Sequence, residues 1–97
     1  MESAGKLLGY AIMNYSFYRC GFVLRVYLHR SHRRKGVASQ LFDELEAHCS
    51  SERIFTSTNL SNAPMHALLT NRGYLLSGII RHLDEGDPEI YYSKQLG

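Results

Sequence analysis

A run of basic residues followed by a glycine is the part of this sequence best suited to chemistry. Arg33, Arg34 and Lys35 precede Gly36, where a segment with the apolar spacing of an amphipathic helix, Gly36–Ser50, begins. Backbone N–H groups at a helix start are unpaired and carry the positive end of the helix dipole, so they stabilise anions. A glycine lets the backbone approach a phosphate without an intervening side chain. The segment therefore predicts a phosphate-binding loop.

The totals limit the class of protein. The 97 residues, 44% of them hydrophobic, indicate one domain over residues 1–97, and a net charge of +2 is too small for a general nucleic-acid or membrane-surface binder. No apolar run is long enough to cross a bilayer, and the first residues do not resemble a signal peptide. Cys20 and Cys49 indicate free thiols in a reducing compartment, so we expect a cytoplasmic protein. The five histidines lack ligand spacing, and no metal site is expected.

The elements that must position the loop follow from hydrophobic periodicity. The predicted order is β-β-α-β-α-β-β, a mixed α+β arrangement. The predicted elements are strands over Leu7–Tyr18 and Phe22–His29, a helix over Gly36–Ser50, a strand over Arg53–Asn59, a helix that begins with a cap at Ser61 or Asn62 and ends just before Gly73, and strands over Tyr74–Leu83 and Glu89–Leu96. The apolar character of Phe22–His29 predicts a central strand buried on both faces. A right-handed crossover predicts its parallel pairing with Ile54–Thr58.

Two motifs on these elements resemble the GNAT superfamily of N-acetyltransferases. The family's phosphate loop reads Arg/Gln-x-x-Gly-x-Gly/Ala, and Arg-Arg-Lys-Gly-Val-Ala at 33–38 matches it. The second signature is an asparagine, a short helix and Gly-Phe or Gly-Tyr, which Asn62 and Gly73-Tyr74 match. Both motifs stand in the family's order, and the resemblance covers nearly the whole chain, from about Lys6 to Leu96.

The resemblance implies an acyl-CoA N-acyltransferase fold, with about five strands in a mixed, mostly antiparallel sheet and two helices. It implies acetyl-CoA as acetyl donor and direct attack on the thioester by a primary amine, from a small molecule or a protein amino group. The residues it places at the cofactor are Val26, Tyr27 and Leu28 by their main chain, Arg33, Arg34, Lys35, Gly36, Val37, Ala38 and Ser39 at the pyrophosphate, and Asn62 at the pantetheine amide. The N–H of Leu28 would polarise the acetyl carbonyl.

The resemblance assigns no acid or base in this chain. Leu69 stands seven residues after Asn62, where many relatives have a tyrosine that protonates the leaving thiolate. His66, Ser57 and Tyr91 remain candidates, and each also fits a structural role as a satisfied histidine, a strand former or a sheet-packing residue. The acidic residues between Asp84 and Glu89 are assigned to turn formation, with attraction of a cationic amine as the alternative.

Two other functions stay open. Relatives begin with a further strand-helix-strand part, so the chain is expected to be an N-terminally truncated GNAT-like domain. The alternative function is a catalytically incomplete coenzyme A-binding module that needs a partner, as a homodimer or with a complementing chain, through the edge strand Leu7–Tyr18. A nucleic-acid contact by residues 29–35 ranks last because this segment is short and lacks interleaved aromatic residues. No nucleic-acid or membrane partner is expected.

Overall fold

The computed structural model describes residues 2–3, 6–7, 9–28 and 36–97. The elements are β1 (Glu2–Ser3), β2 (Lys6–Leu7), β3 (Gly9–Phe17), β4 (Cys20–Leu28), α1 (Val37–His48), β5 (Arg53–Asn59), α2 (Ala63–Asn71), β6 (Leu75–Ile80) and β7 (Glu89–Gln95). From β3 onward the order is the predicted one. Strands β1 and β2 form a separate antiparallel pair. The prediction of one strand from Leu7 was wrong, because β3 begins only at Gly9.

The main sheet has five strands in the order β3-β4-β5-β7-β6. Strands β4 and β5 are parallel, and the other three pairings are antiparallel. The predicted mixed, mostly antiparallel α+β fold is therefore confirmed. The parallel pairing joins Gly21–Val23 to Ile54–Thr56, as the crossover through α1 requires.

The predicted strands leave residues 19–21 as the turn between β3 and β4, but the observed turn begins one residue earlier. Tyr18 and Arg19 occupy it with φ of 52° and 61°, and Phe17 pairs with Cys20. Positive φ at both central positions matches the twist of a two-residue hairpin. Gly21, which the sequence placed in the turn, lies in β4 beside Cys49. A Cβ on Gly21 would stand 2.6 Å from the Cys49 sulfur, so packing requires this glycine.

A bulge divides β4 into two halves. Val23 pairs with Met13 and Arg25 pairs with Ile12, which leaves Leu24 as the extra residue. A bulge bends its strand, and pairing with β5 ends at Val23. The prediction that this strand is buried on both faces was wrong beyond that point, since Leu24 is 55% exposed.

Both helices share one core on one face of the sheet. Phe42 of α1 and Leu69 of α2 are fully buried together with Ile54 of β5. The predicted cap of α2 is confirmed, because the side chain of Asn62 accepts from the N–H of Met65. Gly73 has a φ of 88° just beyond the helix, where a left-handed residue is expected. The opposite face carries no helix among the described residues; a contiguous group of rings lies there, from Phe17, Phe22, Phe55 and Tyr91.

Candidate functional site

The start of α1 has the features of an anion-binding helix end. Gly36 precedes the helix with φ 78° and ψ 4°, a left-handed conformation that favours glycine. It provides no side-chain cap, and the first turn holds no acidic residue. Among the described residues, none has an atom within 4 Å of a Cβ placed on Gly36, apart from its chain neighbours. The first-turn N–H groups of Val37, Ala38 and Ser39 therefore form an uncapped, positively polarised helix end. The predicted loop residues Arg33, Arg34 and Lys35 lie outside the described residues.

Arg72, at the end of α2, holds this helix start in place. Its Nη1 donates to the carbonyl oxygen of Ser39 at 3.0 Å and to the Ser39 hydroxyl at 2.8 Å. Its Nη2 contacts Asp43 at 2.8 Å. Val37 is buried in the core, so the main chain is the part of Val37 that can meet a ligand.

Strands β4 and β5 separate immediately after their short parallel pairing. Beyond Thr56, residues 57–59 of β5 pair with β7, and residues 25–28 of β4 pair with β3. The facing edges of the two strands are therefore not hydrogen-bonded to each other here. Val26, Tyr27 and Leu28, which the sequence placed along the cofactor, lie on the β4 side of this opening. The Tyr27 ring stacks on Tyr10, with centroids 5.3 Å apart, so its main chain is the part that borders the opening.

Asn62 lies on the β5 side of the opening. Its Nδ2 donates to the hydroxyl of Thr58 at 2.9 Å, and its Oδ1 accepts from the N–H of Met65 at 3.4 Å. These contacts join the end of β5 to the start of α2. Leu69, at the position where many relatives have tyrosine, is fully buried and carries no ionisable group.

Both ring nitrogens of His66 have partners. Nε2 lies 3.0 Å from the carbonyl oxygen of Asn59 and 3.1 Å from that of Leu60, while Nδ1 lies 2.6 Å from the Tyr92 hydroxyl. Carbonyl oxygens only accept, so Nε2 carries the proton and Nδ1 accepts from the hydroxyl. This arrangement favours a structural role for His66, linking α2 to β5 and β7.

Ser57 and Tyr91 meet on the face of the sheet opposite the helices. They are register partners on β5 and β7, and the Tyr91 ring contacts Phe22 with centroids 5.9 Å apart. The Ser57 hydroxyl donates to Oε2 of Glu89 at 2.7 Å. The sequence placed Glu89 at the start of the predicted strand Glu89–Leu96 and also among the acidic residues assigned to turn formation; in the structure it is the first residue of β7. Because side chains alternate along a strand, the sequence could have shown that Glu89 and Tyr91 lie on the same face of the sheet. The register between β5 and β7, which brings Ser57 beside them, could not be predicted from the sequence.

The described residues contain few other groups that could take part in chemistry. Cys20 and Cys49 are free thiols. Within the described ranges, no group of three or more His, Cys, Asp or Glu side chains is arranged to hold a metal ion. In that same part of the chain, no helix has the length and apolar character needed to cross a membrane.

Comparison with known proteins decides the family. The model of the acetyltransferase (GNAT) family matches residues 1–74. The chain belongs to this family. A GNAT-family acetyltransferase from Bacillus cereus is 33% identical, with a TM-score of 0.91 over 97% of this chain and 66% of that one. No match was found among curated proteins.

Two more distant solved structures share the GNAT fold. The protein yncA of Salmonella typhimurium, whose structure contains its cofactor acetyl-CoA, is 22% identical, with a TM-score of 0.82 over 99% of this chain and 62% of that one. The ribosomal-protein-S18-alanine N-acetyltransferase of Escherichia coli is 20% identical, with a TM-score of 0.82 over 98% of this chain and 65% of that one. The GNAT chain thus spans about two thirds of the length of these relatives.

Proposed function

We propose that this GNAT domain, over residues 1–97, is a cytoplasmic N-acetyltransferase that moves an acetyl group from acetyl-CoA to a primary amine. The observation that carries the proposal is the start of α1, beside the opening between β4 and β5. There Gly36 has a left-handed conformation and no side chain caps the helix. A polarised helix end suits a pyrophosphate, and strand edges without partners suit the amide-bearing arm of coenzyme A. The acetyl-CoA in the related yncA structure supports the same assignment.

Each part of the site has a role in this proposal. The N–H groups of residues 36–39 bind the pyrophosphate, and Arg33, Arg34 and Lys35 add positive charge. The main chain of Val26–Leu28 pairs with the pantetheine arm, and Asn62 holds a pantetheine amide from the other side. The N–H of Leu28 polarises the acetyl carbonyl. Acetyl-CoA supplies the activated thioester, and its acceptor is an amine of a small molecule or of a protein.

The test is acetyl-CoA binding by calorimetry together with thiol release in the presence of amines. We expect wild type to bind acetyl-CoA and Gly36→Glu to bind it about tenfold or more weakly, a loss of about 1.4 kcal/mol or more. The added carboxylate repels the pyrophosphate, and its Cβ occupies the backbone cradle. Gly86→Glu is the matched control, since Gly86 also has positive φ, 75°, and nothing within 4 Å of its Cβ position. Failure of wild type to bind, or equal effects of both variants, would contradict the proposal.

A second candidate function is a coenzyme A-binding module that needs a partner chain for turnover. The observation that favours it is β3, a nine-residue strand at the edge of the sheet with no charged residue. Natural edge strands are usually short or carry charge to prevent pairing with other chains. Binding of acetyl-CoA without thiol release would favour this candidate.

A further inference from the structure

The two faces of the sheet divide the proposed reaction into a donor side and an acceptor side. The uncapped start of α1 and the Asn62 cap of α2 belong to helices that pack on one face. If acetyl-CoA is held there, as proposed above, the amine must reach the thioester carbon from the opposite face, because direct attack needs an unobstructed approach. Side chains on that opposite face, next to the opening, are therefore placed to meet the acceptor.

Ser57 and Glu89 occupy this position. Ser57 is the first residue of β5 beyond the last pairing with β4. Alternation along β5 places Ser57 opposite the buried neighbour Thr56. Glu89 lies beside it on β7, joined by the 2.7 Å hydrogen bond from the Ser57 hydroxyl. Both side chains are partly buried, so the carboxylate is held rather than freely solvated.

The Glu89 carboxylate has no cation beside it in the part of the chain that the structure describes. Asp43 and Glu46 pair with Arg72, and Glu46 also pairs with Lys94. Within the same residues Oε2 of Glu89 accepts from Ser57, and Oε1 has no hydrogen-bond partner. A partly buried carboxylate without a counter-ion is stabilised further when a ligand supplies a positive charge.

We propose that Glu89 binds the acceptor as a primary ammonium and takes its proton, with Ser57 as the residue that positions the carboxylate. The rings of Phe22 and Tyr91 lie on the same face and provide an apolar, aromatic surrounding that suits a cation. The proposal rests on the acetyltransferase function above. It names the chemical class of the acceptor and the group that activates it.

The proposed acetyl transfer balances in protons and electrons. The ammonium, R–NH3⁺, gives one proton to the Glu89 carboxylate, which later releases it to solvent. The lone pair of R–NH2 forms a C–N bond with the thioester carbon, and the C–S bond breaks as the carbonyl re-forms. The second proton lost by the nitrogen neutralises the thiolate. The products are R–NH–CO–CH3 and coenzyme A thiol.

The experiment compares wild type with Glu89→Gln, which keeps an acceptor for the Ser57 hydroxyl and removes the charge. Thiol release is measured with two ammonium acceptors, 1,4-diaminobutane and a short peptide that has a free amino terminus. The first represents a small-molecule acceptor and the second a protein acceptor, so their rates show which class the site favours. Hydroxylamine, already unprotonated at neutral pH, is the third acceptor. We expect the rate with the favoured ammonium to fall about a hundredfold or more in the variant, and the rate with hydroxylamine to fall much less.

Binding readouts separate this inference from the function on which it rests. Acetyl-CoA affinity should be unchanged in Glu89→Gln, and 1,4-diaminobutane should shift the backbone NMR signals of Ser57 and Tyr91 in wild type but not in the variant. Glu52→Gln, an exposed carboxylate change between α1 and β5, is the matched control and should match wild type. Wild type that fails to bind acetyl-CoA overturns the proposed function. Acetyl-CoA binding with equal loss for all acceptors, or with no loss for any, overturns the role of Glu89 alone. Acetyl-CoA binding by wild type with no transfer to any acceptor overturns the transferase function together with the role of Glu89 and favours the partner-dependent module.

The positioning role of Ser57 has its own readout. Ser57→Ala removes the hydrogen bond to Glu89, and we expect a smaller loss than in Glu89→Gln, confined to ammonium acceptors. Ser57→Thr keeps a hydroxyl and should restore much of the rate. The positioning role would be overturned if Ser57→Ala slowed transfer to hydroxylamine as much as transfer to the ammonium acceptors. It would also be overturned if Ser57→Ala and Ser57→Thr had equal rates with the ammonium acceptors.

Discussion

Glu46 shows how a single residue joins three elements of this GNAT domain. Its carboxylate accepts from Lys94 Nζ at 2.9 Å and from the Tyr74 hydroxyl at 2.9 Å, and it pairs with Arg72 Nη2 at 3.1 Å. Burial acts to raise the pKa of Glu46, but the hydrogen bonds from Lys94, Tyr74 and Arg72 outweigh it and lower the pKa below 4.5. Its partners lie far from it along the chain, so local sequence patterns do not reveal these contacts.

The lowered pKa of Glu46 predicts a pH-dependent contribution to stability. A carboxyl group whose pKa is lower when folded stabilises the fold above its unfolded pKa and loses that contribution as pH falls through the folded value. We expect Glu46→Gln to reduce the free energy of unfolding by about 1.5–3 kcal/mol at neutral pH, with the gap to wild type narrowing below pH 4.5. Denaturant titration at several pH values measures it.

Glu44 provides the control for this change. It lies on the same helix with an exposed side chain and forms no ion pair among the described residues, so Glu44→Gln should leave stability nearly unchanged. If the difference in the free energy of unfolding between wild type and Glu46→Gln stayed the same at acid pH, the stabilisation by Glu46 would not depend on its charge.

At the scale of elements, the close approach of β4 to the end of α1 depends on Gly21. A Cβ there would lie 2.6 Å from the Cys49 sulfur and 3.2 Å from the Met13 sulfur. We expect Gly21→Ala to destabilise the fold by about 1–3 kcal/mol through overpacking, measured by denaturant unfolding. The double variant with Cys49→Ala should recover part of the loss, because it removes the nearest atom.

Gly78 in β6 is the matched control. A Cβ there meets nothing within 4 Å, and its φ is not positive. Gly78→Ala should be neutral or stabilise the fold by about 0.4–1 kcal/mol, because it reduces the entropy of the unfolded chain. Equal losses for Gly21→Ala and Gly78→Ala would show that strand glycines matter here for a reason other than packing.

The same elements show what the sequence could predict. The helix caps, the β-α-β crossover and the order of the elements follow from local signals, such as Asn62 and Gly73 around α2. The bulge at Leu24 does not, because one extra residue between two long strands leaves no distinct local pattern. The bulge and the end of the β5 pairing set where the opening begins, so neither the opening nor the Ser57–Glu89 contact was predictable from the sequence. The start of α1 at Gly36 was predictable, because its signal is local.

At the scale of the whole molecule, one long edge and one apolar face lack partners within the described chain. Strand β3 ends the sheet without a charged residue, and its Tyr10 ring stacks on Tyr27 of β4, which is 43% exposed. Ile12 on β3 is 45% exposed, and Leu24 of the bulge is 55% exposed. Uncharged edges and contiguous exposed apolar surface both favour association. These two features support the proposal that the GNAT domain pairs with another chain.

The edge predicts measurable self-association through β3. We expect sedimentation of the wild-type chain to show concentration-dependent dimers, and Ile12→Lys to weaken dimerisation about tenfold or more, since a desolvated charge at an edge opposes pairing. Leu83→Lys, a matched change at a 62% exposed position outside the sheet, should leave the dimers unaffected. A monomeric wild type with full turnover would remove the partner-dependent function, because a complete enzyme would then need no second chain. Dimers that dissociate equally in both variants would place the interface elsewhere than β3.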